Sequence, residues 1–395
     1  MTTLKSTGKV SMSAVAGGKI QVITEDSFVA SSVLLTYTKN GGSASEVAGE
    51  AGAAAVNKYL TFKSSEAAGS SIRTLREMEN AGVVSLAEAG HSSAKIGYSC
   101  APDLALDFVK NLALDSVYAK WDVADAIKYA KVEADVALAD PENMLSEGLL
   151  LAAYGDASPM SNSMYYGDGG ASRAGVMSFR EREYYGGGDA VVAACGIADH
   201  DAFVAAVADA FEGYGSSSIE GASGEYRGGE YRLATASGKA NVALGFAAPA
   251  DPIVGDVLKQ CLAASGYTAF VNEGVIGVSG DSDAAGAGLL AESLADVLAA
   301  PISAEQVATA KSMAKAEALL AMEASGCQSL VEQLTLSAVS GSPNDSQDIT
   351  TIYDEVTPES VIAAASEMTK GNLSVSALGS IAAVPYQATL STKFA

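Results

Sequence analysis

Histidine is nearly missing from this chain: His91 and His200 are the two in 395 residues. Imidazole-rich metal centres and most histidine-dependent catalysis are therefore hard to build. Cysteine is sparse as well. Cys100, Cys195, Cys261 and Cys327 are scattered without a C-x-x-C pair, which argues against a disulfide framework or a thiolate zinc site and reads as reduced core thiols. Positive charge is short: 24 Lys and Arg stand against 47 Asp and Glu, a net charge of −23 with neutral histidines. A surface of that sign repels nucleic acid and gains nothing by charge from an anionic membrane. Long apolar runs are absent too. The longest uncharged stretch, 371–392, is interrupted by Asn372, Pro385 and Gln387, and the alternation of Leu373, Val375 and Ala377 reads as a strand. The first 22 residues carry Lys5, Lys9 and Lys19 but neither arginine nor an apolar block, so they match neither a secretory signal nor a transit peptide. A protein with no transmembrane helix, soluble or peripheral to a membrane, is expected.

What the chain does hold is a globular composition, 49% hydrophobic and 18% charged, with length for two or three domains of ~150 residues. Alternation over 19–24 and 27–37 predicts strands that end in the Asn40-Gly41-Gly42 turn. Residues 43–59 are alanine-rich with helical spacing, and 73–81 predict a helix that stops at Gly82. Residues 83–89 and 93–99 read as a hairpin with His91 in its turn. Helices follow at 104–114, 121–139 and 144–154, then a strand at 189–196 and a helix at 202–211. The Gly/Ser-rich segment 212–225 reads as a linker. Beyond it the order restarts: strand 232–246, helix 252–264, strand 271–280, helices 284–298 and 303–324.

That restart has a register. Val123-Ala124, Ala126, Ala130-Lys131 and Glu133-Ala134 recur as Val307-Ala308, Ala310, Ala314-Lys315 and Glu317-Ala318, an offset of 184 residues. The same offset carries Ser158-Pro159 onto Ser342-Pro343. Solenoid repeats are ~20–50 residues long, so this is a duplicated domain. The expected fold is α+β: two homologous domains, 1–211 and 226–395, each a largely antiparallel sheet with helices packed on one face.

Two such halves joined by a Gly/Ser linker resemble the mitochondrial processing peptidase family. Its members include the core subunits of the cytochrome bc1 complex, and the likeness is to that core branch. It rests on Trp121-Asp122-Val123-Ala124-Asp125, on Leu149-Leu150-Leu151-Ala152-Ala153-Tyr154 and on Tyr226-Arg227-Gly228-Gly229-Glu230. Active members of the family carry an inverted zinc motif, H-x-x-E-H, whose two histidines hold zinc while the glutamate serves as general base and a distant glutamate completes the site. In those members the motif leads into an apolar-Phe-Lys segment that resembles Leu60-Thr61-Phe62-Lys63. The resemblance then puts the motif at Ala55, Val56, Asn57, Lys58 and Tyr59. Ala55 and Tyr59 replace the histidines, Lys58 replaces the base, and Glu133 stands where the distal carboxylate would be. An ammonium repels a dication instead of activating its water, so these four positions are degenerate and no catalytic, metal or cofactor site is expected.

The remaining candidates have plainer readings. Asp199-His200-Asp201 reads as a capped helix start, and His91 as a solvated turn residue. Gly167, Gly169-Gly170 and Gly186-Gly187-Gly188-Asp189 lack the strand–loop–helix order and G-K-[ST] of a phosphate loop. Asp281-Ser282-Asp283 lacks the glutamate of a calcium loop and reads as a solvated turn. Tyr165-Tyr166 and Tyr184-Tyr185 read as interface or loop-anchoring aromatics.

The resemblance implies a non-catalytic structural subunit of the cytochrome bc1 complex, with no cofactor of its own. It would sit peripherally on the matrix side of the mitochondrial inner membrane. Its partners would be a core-1-like, processing peptidase beta-like subunit and the other subunits, cytochrome b and cytochrome c1 included, of a dimeric complex. The alternative is a non-catalytic, presequence-recognising alpha-like subunit of a processing peptidase, whose acidic surface would attract basic amphipathic presequences. The long Gly-rich loop expected of such a subunit has no counterpart near 263–280.

Overall fold

The computed structural model describes residues 9–26, 31–64, 69–112, 117–185, 190–214, 224–325, 327–339 and 349–394. Strands β1 (Val10–Val15), β2 (Ile20–Glu25) and β3 (Ser32–Thr38) are followed by helices α1 (Ala53–Leu60) and α2 (Ser71–Ala81). Strands β4 (Val84–Ala89) and β5 (Ala94–Cys100) form the expected hairpin. Helices α3 (Ala105–Leu112), α4 (Lys120–Ala139), α5 (Pro141–Tyr154) and α6 (Arg173–Arg180) precede β6 (Ala190–Cys195) and α7 (His200–Ala210). The later half holds β7 (Gly229–Ala234), β8 (Lys239–Ala247), α8 (Pro252–Ala263), β9 (Thr268–Asn272) and β10 (Val275–Asp283). It closes with α9 (Ala287–Ala299), α10 (Ala304–Ser325), α11 (Cys327–Val339), α12 (Ile349–Glu355), α13 (Pro358–Met368), β11 (Ser374–Gly379) and α14 (Gln387–Ser391).

The chain divides into two compact units. The first takes Met1–Ala134, Asn162–Ala222 and Ala321–Ser346; the second takes Asp135–Ser161, Ser223–Leu320 and Gln347–Ala395. The first unit holds a sheet ordered β1-β2-β6-β3-β5-β4, the second a sheet ordered β7-β11-β8-β10-β9. Apart from the extra edge strand β1, the two orders are the same, strand for strand. Among the described residues each contains one parallel pair, β2 with β6 and β7 with β11, among antiparallel neighbours. Strand β6 maps onto β11 at both ends with the 184-residue offset read from the helices, and α4 maps onto α10 at its start. The mixed α+β architecture and its duplication are thus as expected. Ser342-Pro343 and most of the 212–225 linker lie outside the described residues.

Strand pleating sends alternate side chains to opposite faces, and in both units both faces are used. In the first, Ile20, Val22, Leu34, Tyr98, Val192 and Ala194 pack with Val109 of α3 and Phe203 and Val207 of α7. Further along that face, α1, α4 and α6 meet Ala94 and Ile96 of β5. The opposite face, with Ile23, Val33, Leu35, Val191, Ala193 and Cys195, is closed by Val331, Leu334 and Ala338 of α11. In the second unit α8, α9, α10 and α13 cover Val242, Leu244, Phe246, Ile276, Val278, Val375 and Ala377. Helix α5 lies across β7, β8 and β11 on the other side. Among the described residues most helices therefore lie on one face of each sheet, with one helix, α11 or α5, on the reverse.

Four local expectations need correction. Residues 232–246 are not one strand but parts of β7 and β8, separated at 235–238. Residues 43–59 are not one helix: a single 3-10 turn at 43–45 is followed by loop, and α1 begins only at Ala53. Gly52 is left-handed (φ 76°), and a methyl group on it would lie 2.8 Å from the Tyr166 ring, so the chain turns there before it winds. Residues 271–280 are not one strand but parts of the β9–β10 hairpin. Asp281-Ser282-Asp283 is no turn either; it ends β10 opposite Lys239–Asn241 of β8, with the Lys239 ammonium 3.3 Å from Asp281. Among the described residues no single helix is long and apolar enough to cross a membrane.

Candidate functional site

The site starts with how α1 is held. The Glu46 carboxylate accepts from the backbone N–H of Gly52 at 2.7 Å and of Ala54 at 2.9 Å, satisfying donors that a helix start leaves open. Glu50, in the same loop, receives both terminal nitrogens of Arg182 at 2.7 Å and the Ser178 hydroxyl at 2.9 Å. Arg182 also donates to Glu183 at 2.7 Å and to the Ser45 carbonyl at 2.8 Å. This network, set on α6 and the π-helical turn Glu181–Tyr185 after it, fixes where α1 begins and which way it is rotated. Ala53–Asn57 then face the core, with the Asn57 amide 3.4 Å from the Val176 carbonyl.

Lys58 and Tyr59 emerge on the half-buried side of α1. Helix α4 comes near them, its Val123, Ala126 and Ala130 buried at helical spacing in the cluster that also holds Ala53–Val56 of α1. That packing brings Glu133 over Lys58. The ammonium contacts both carboxylate oxygens, at 2.5 and 2.6 Å, and the Tyr59 hydroxyl donates to the second at 3.1 Å. The Lys58 ammonium also lies 4.9 Å from the centre of the Tyr59 ring, within cation–π range. Burial, followed by the Glu133 charge, pushes the Tyr59 phenol up to about 12, so it stays a neutral donor. Of the degenerate motif, Lys58, Tyr59 and Glu133 therefore meet, and Ala55 is buried one turn earlier, 4% exposed. A tethered cation occupies the carboxylate. Among the described residues no three His, Cys, Asp or Glu side chains converge in a metal-holding group.

The other singled-out residues are structural. His91 is buried, contrary to the solvated turn expected: its Nδ1 lies 3.0 Å from the Asn162 carbonyl. The cause is long-range. Residues 42–44 fold back on the hairpin turn, with Ser43 and Ala44 donating backbone N–H to Gly90 and His91, and a methyl group on Gly42 would collide with the His91 carbonyl. Asp199 caps α7 as expected, accepting from Ala202 N–H at 2.9 Å. His200 holds the hydroxyls of Ser13 and Thr24, each at 2.8 Å. Tyr166 is a buried loop anchor between Gly52 and Gly170, its hydroxyl donating to the Ala171 carbonyl at 3.2 Å, and Tyr184 is buried too. Gly186-Gly187-Gly188-Asp189 and the Tyr185 side chain lie outside the described residues. Sequence reasoning missed the Arg182 network; its one local signal is the run Glu181-Arg182-Glu183.

Glu46 gives this site a pH signature. Burial pushes its carboxyl up to about 7 against the two N–H bonds, with Glu50 adding to the rise and His91 opposing it. An unfolded chain releases that proton near 4.5. The folded form keeps it, so this group's contribution is fully present below about pH 4.5. It falls by up to about tenfold in folding constant per pH unit and is gone above about 7. Urea midpoints of the parent should decline from pH 5 to 7.5 more steeply than those of Glu46→Gln. Glu183 and Asp256 are raised by burial as well, so the difference between parent and variant isolates Glu46. Equal slopes would contradict the assignment.

No family model matches the sequence. The chain is 25% identical over 325 residues to the human protein described as cytochrome b-c1 complex subunit 2, mitochondrial, covering 72% of this chain and 70% of that protein. The chain is similar to that subunit over most of its length. Its fold also matches a chain from a structure described as complex III2 from Candida albicans, Inz-5 bound, with a TM-score of 0.79 and 15% identity over 98% of this chain and 99% of that one. At that identity the match speaks for the fold alone, and the likeness to subunit 2 rests on the human relative.

Proposed function

We propose that the chain is a non-catalytic, core-2-like structural subunit of the cytochrome bc1 complex, complex III of the mitochondrial respiratory chain. It sits peripherally on the matrix side of the inner membrane and scaffolds assembly there. Its partners are a core-1-like subunit and the remaining subunits of a dimeric complex, cytochrome b and cytochrome c1 among them. The observation that carries this reading is the likeness to human subunit 2 over 72% of the chain. The degenerate motif supports it. With the Lys58 ammonium on both oxygens of Glu133, the carboxylate is already neutralised, and an arriving dication would meet like charge. Peptide-bond hydrolysis by a zinc-activated water has no means here. Residues 263–280 are taken up by the end of α8, the β9–β10 hairpin and its Glu273-Gly274 turn, which favours the scaffold over a presequence-handling subunit.

Mild detergent extraction tests the reading. The chain should co-migrate with cytochrome b and cytochrome c1 on native gels, and the folded chain alone should carry no stoichiometric zinc. Purification with an active zinc peptidase instead, with presequence cleavage restored on mixing, would overturn the scaffold reading. One zinc per chain, lost in Glu133→Gln, would overturn the non-catalytic one.

A further inference from the structure

Two of the four thiols, 132 positions apart in sequence, meet in the first unit. Cys195 is the last residue of β6 and points to the face that α11 covers, with Val191 and Ala193. Cys327 is the first residue of α11, half-buried, and packs against the same cluster. Both thiols therefore pack in one apolar cluster, close enough for the Cys327 side chain to act on the Cys195 thiol. Cys100 belongs to the opposite face of this sheet, and Cys261 to the second unit. We propose that Cys195 and Cys327 form a reversible dithiol–disulfide couple that clamps α11 onto the first sheet when oxidised.

A disulfide needs the sulfurs at about 2.05 Å with Cβ atoms about 3.8 Å apart. Thiols that share one cluster, one of them on the first turn of a helix, reach that by rotamer changes and a shift of the helix end. Access divides the roles. Cys327 meets solvent and attacks first; Cys195 is fully buried. Burial holds the Cys195 thiol protonated well above its ordinary range, and the Cys327 thiol and Glu25 carboxylate add to this, so it serves as the slower resolving thiol. With glutathione disulfide as the oxidant, the Cys327 sulfur breaks its S–S bond and forms a mixed disulfide. One glutathione leaves with the Cys327 proton. The Cys195 sulfur then attacks the Cys327 sulfur, and the second glutathione leaves with the Cys195 proton. Two protein thiols are oxidised and one glutathione disulfide is reduced to two thiols.

The test incubates the reduced full-length chain with glutathione disulfide, without denaturant, and analyses a non-reducing digest by mass spectrometry. The expected product joins the Cys195 and Cys327 peptides, loses two of four free thiols and weighs two hydrogens less. In Cys195→Ala the product should stop at a stable glutathione adduct on Cys327. In Cys327→Ser, Cys195 should stay unmodified. Oxidation of the parent should raise its urea midpoint and slow amide exchange in α11. A persistent glutathione adduct on parental Cys327, or links made through Cys100 or Cys261, would overturn the couple. A cross-link that leaves midpoint and exchange unchanged would overturn the clamp.

Discussion

Arg182→Met is expected to destabilise the protein by about 3 kcal/mol. The guanidinium is the one cation seen on the Glu50 and Glu183 carboxylates among the described ion pairs, and both acids are almost wholly buried, with side chains 4% and 2% exposed. Burial favours the neutral form of Glu50, yet the Arg182 hydrogen bonds, the Val47 N–H, the Ser178 hydroxyl and the Arg182 charge together hold its carboxyl below the usual range. Burial keeps the Glu183 carboxyl above that range despite Arg182. Removing one partner from a buried ion pair typically costs about 3–5 kcal/mol, because a charge is left without compensation. Arg182 is itself 29% exposed, so water replaces part of what is lost and the lower end applies. Urea denaturation measures the loss. The double variant Arg182→Met with Glu50→Met should recover part of it, since an apolar pair of similar volume removes the Glu50 charge and leaves only Glu183 without its cation. A single variant within about 0.5 kcal/mol of the parent would mean that the network does not hold α1. A double variant as weak as the single one would mean that the Glu50 charge does not carry the loss.

The same network marks how far the sequence could be read. Local chemistry was legible: the alternation in β2 and β3, the β4–β5 hairpin, the stop of α2 at Gly82 and the Asp199 cap each depend on neighbours a few residues away. The duplication was legible because α4 and α10 kept lysine and glutamate in one register. What escaped was set by distant contacts. Nothing near Glu50 announces Arg182, 132 positions on, and nothing in the turn at His91 announces the loop that buries it. Of the degenerate motif, the residue types were legible from family likeness. The seating of the Lys58 ammonium on Glu133 required the packing of α4 on α1. The side chains of α5 say that the helix covers something apolar, whereas no helix was read at 327–339, where α11 lies. Neither sequence says which sheet it covers.

That last point has the largest consequence, for chains cut in the linker. A fragment ending at 225 contains β2, β3 and β6 but lacks α11, so Ile23, Val33, Leu35, Tyr37, Val191 and Ala193 lose their cover. Burial of Val331 and Leu334 alone contributes about 3–6 kcal/mol, against the about 5–15 kcal/mol that holds a whole domain. The fragment 226–395 lacks α5, which lies over β7, β8 and β11. It therefore exposes the reverse face of the second sheet. Each fragment expressed alone is expected to be insoluble or to bind a hydrophobic dye without a cooperative unfolding transition. Co-expressed, they should yield a soluble pair, each lending one helix to the other's sheet, with the unfolding cooperativity of the intact chain. Connectivity is dispensable in this account because the helices, not the linker, close the two cores. A fragment 1–225 that unfolds alone with the parent's midpoint would show that α11 contributes little to its sheet. The packing of α11 on β3 and β6 would then be decoration on a core complete without it.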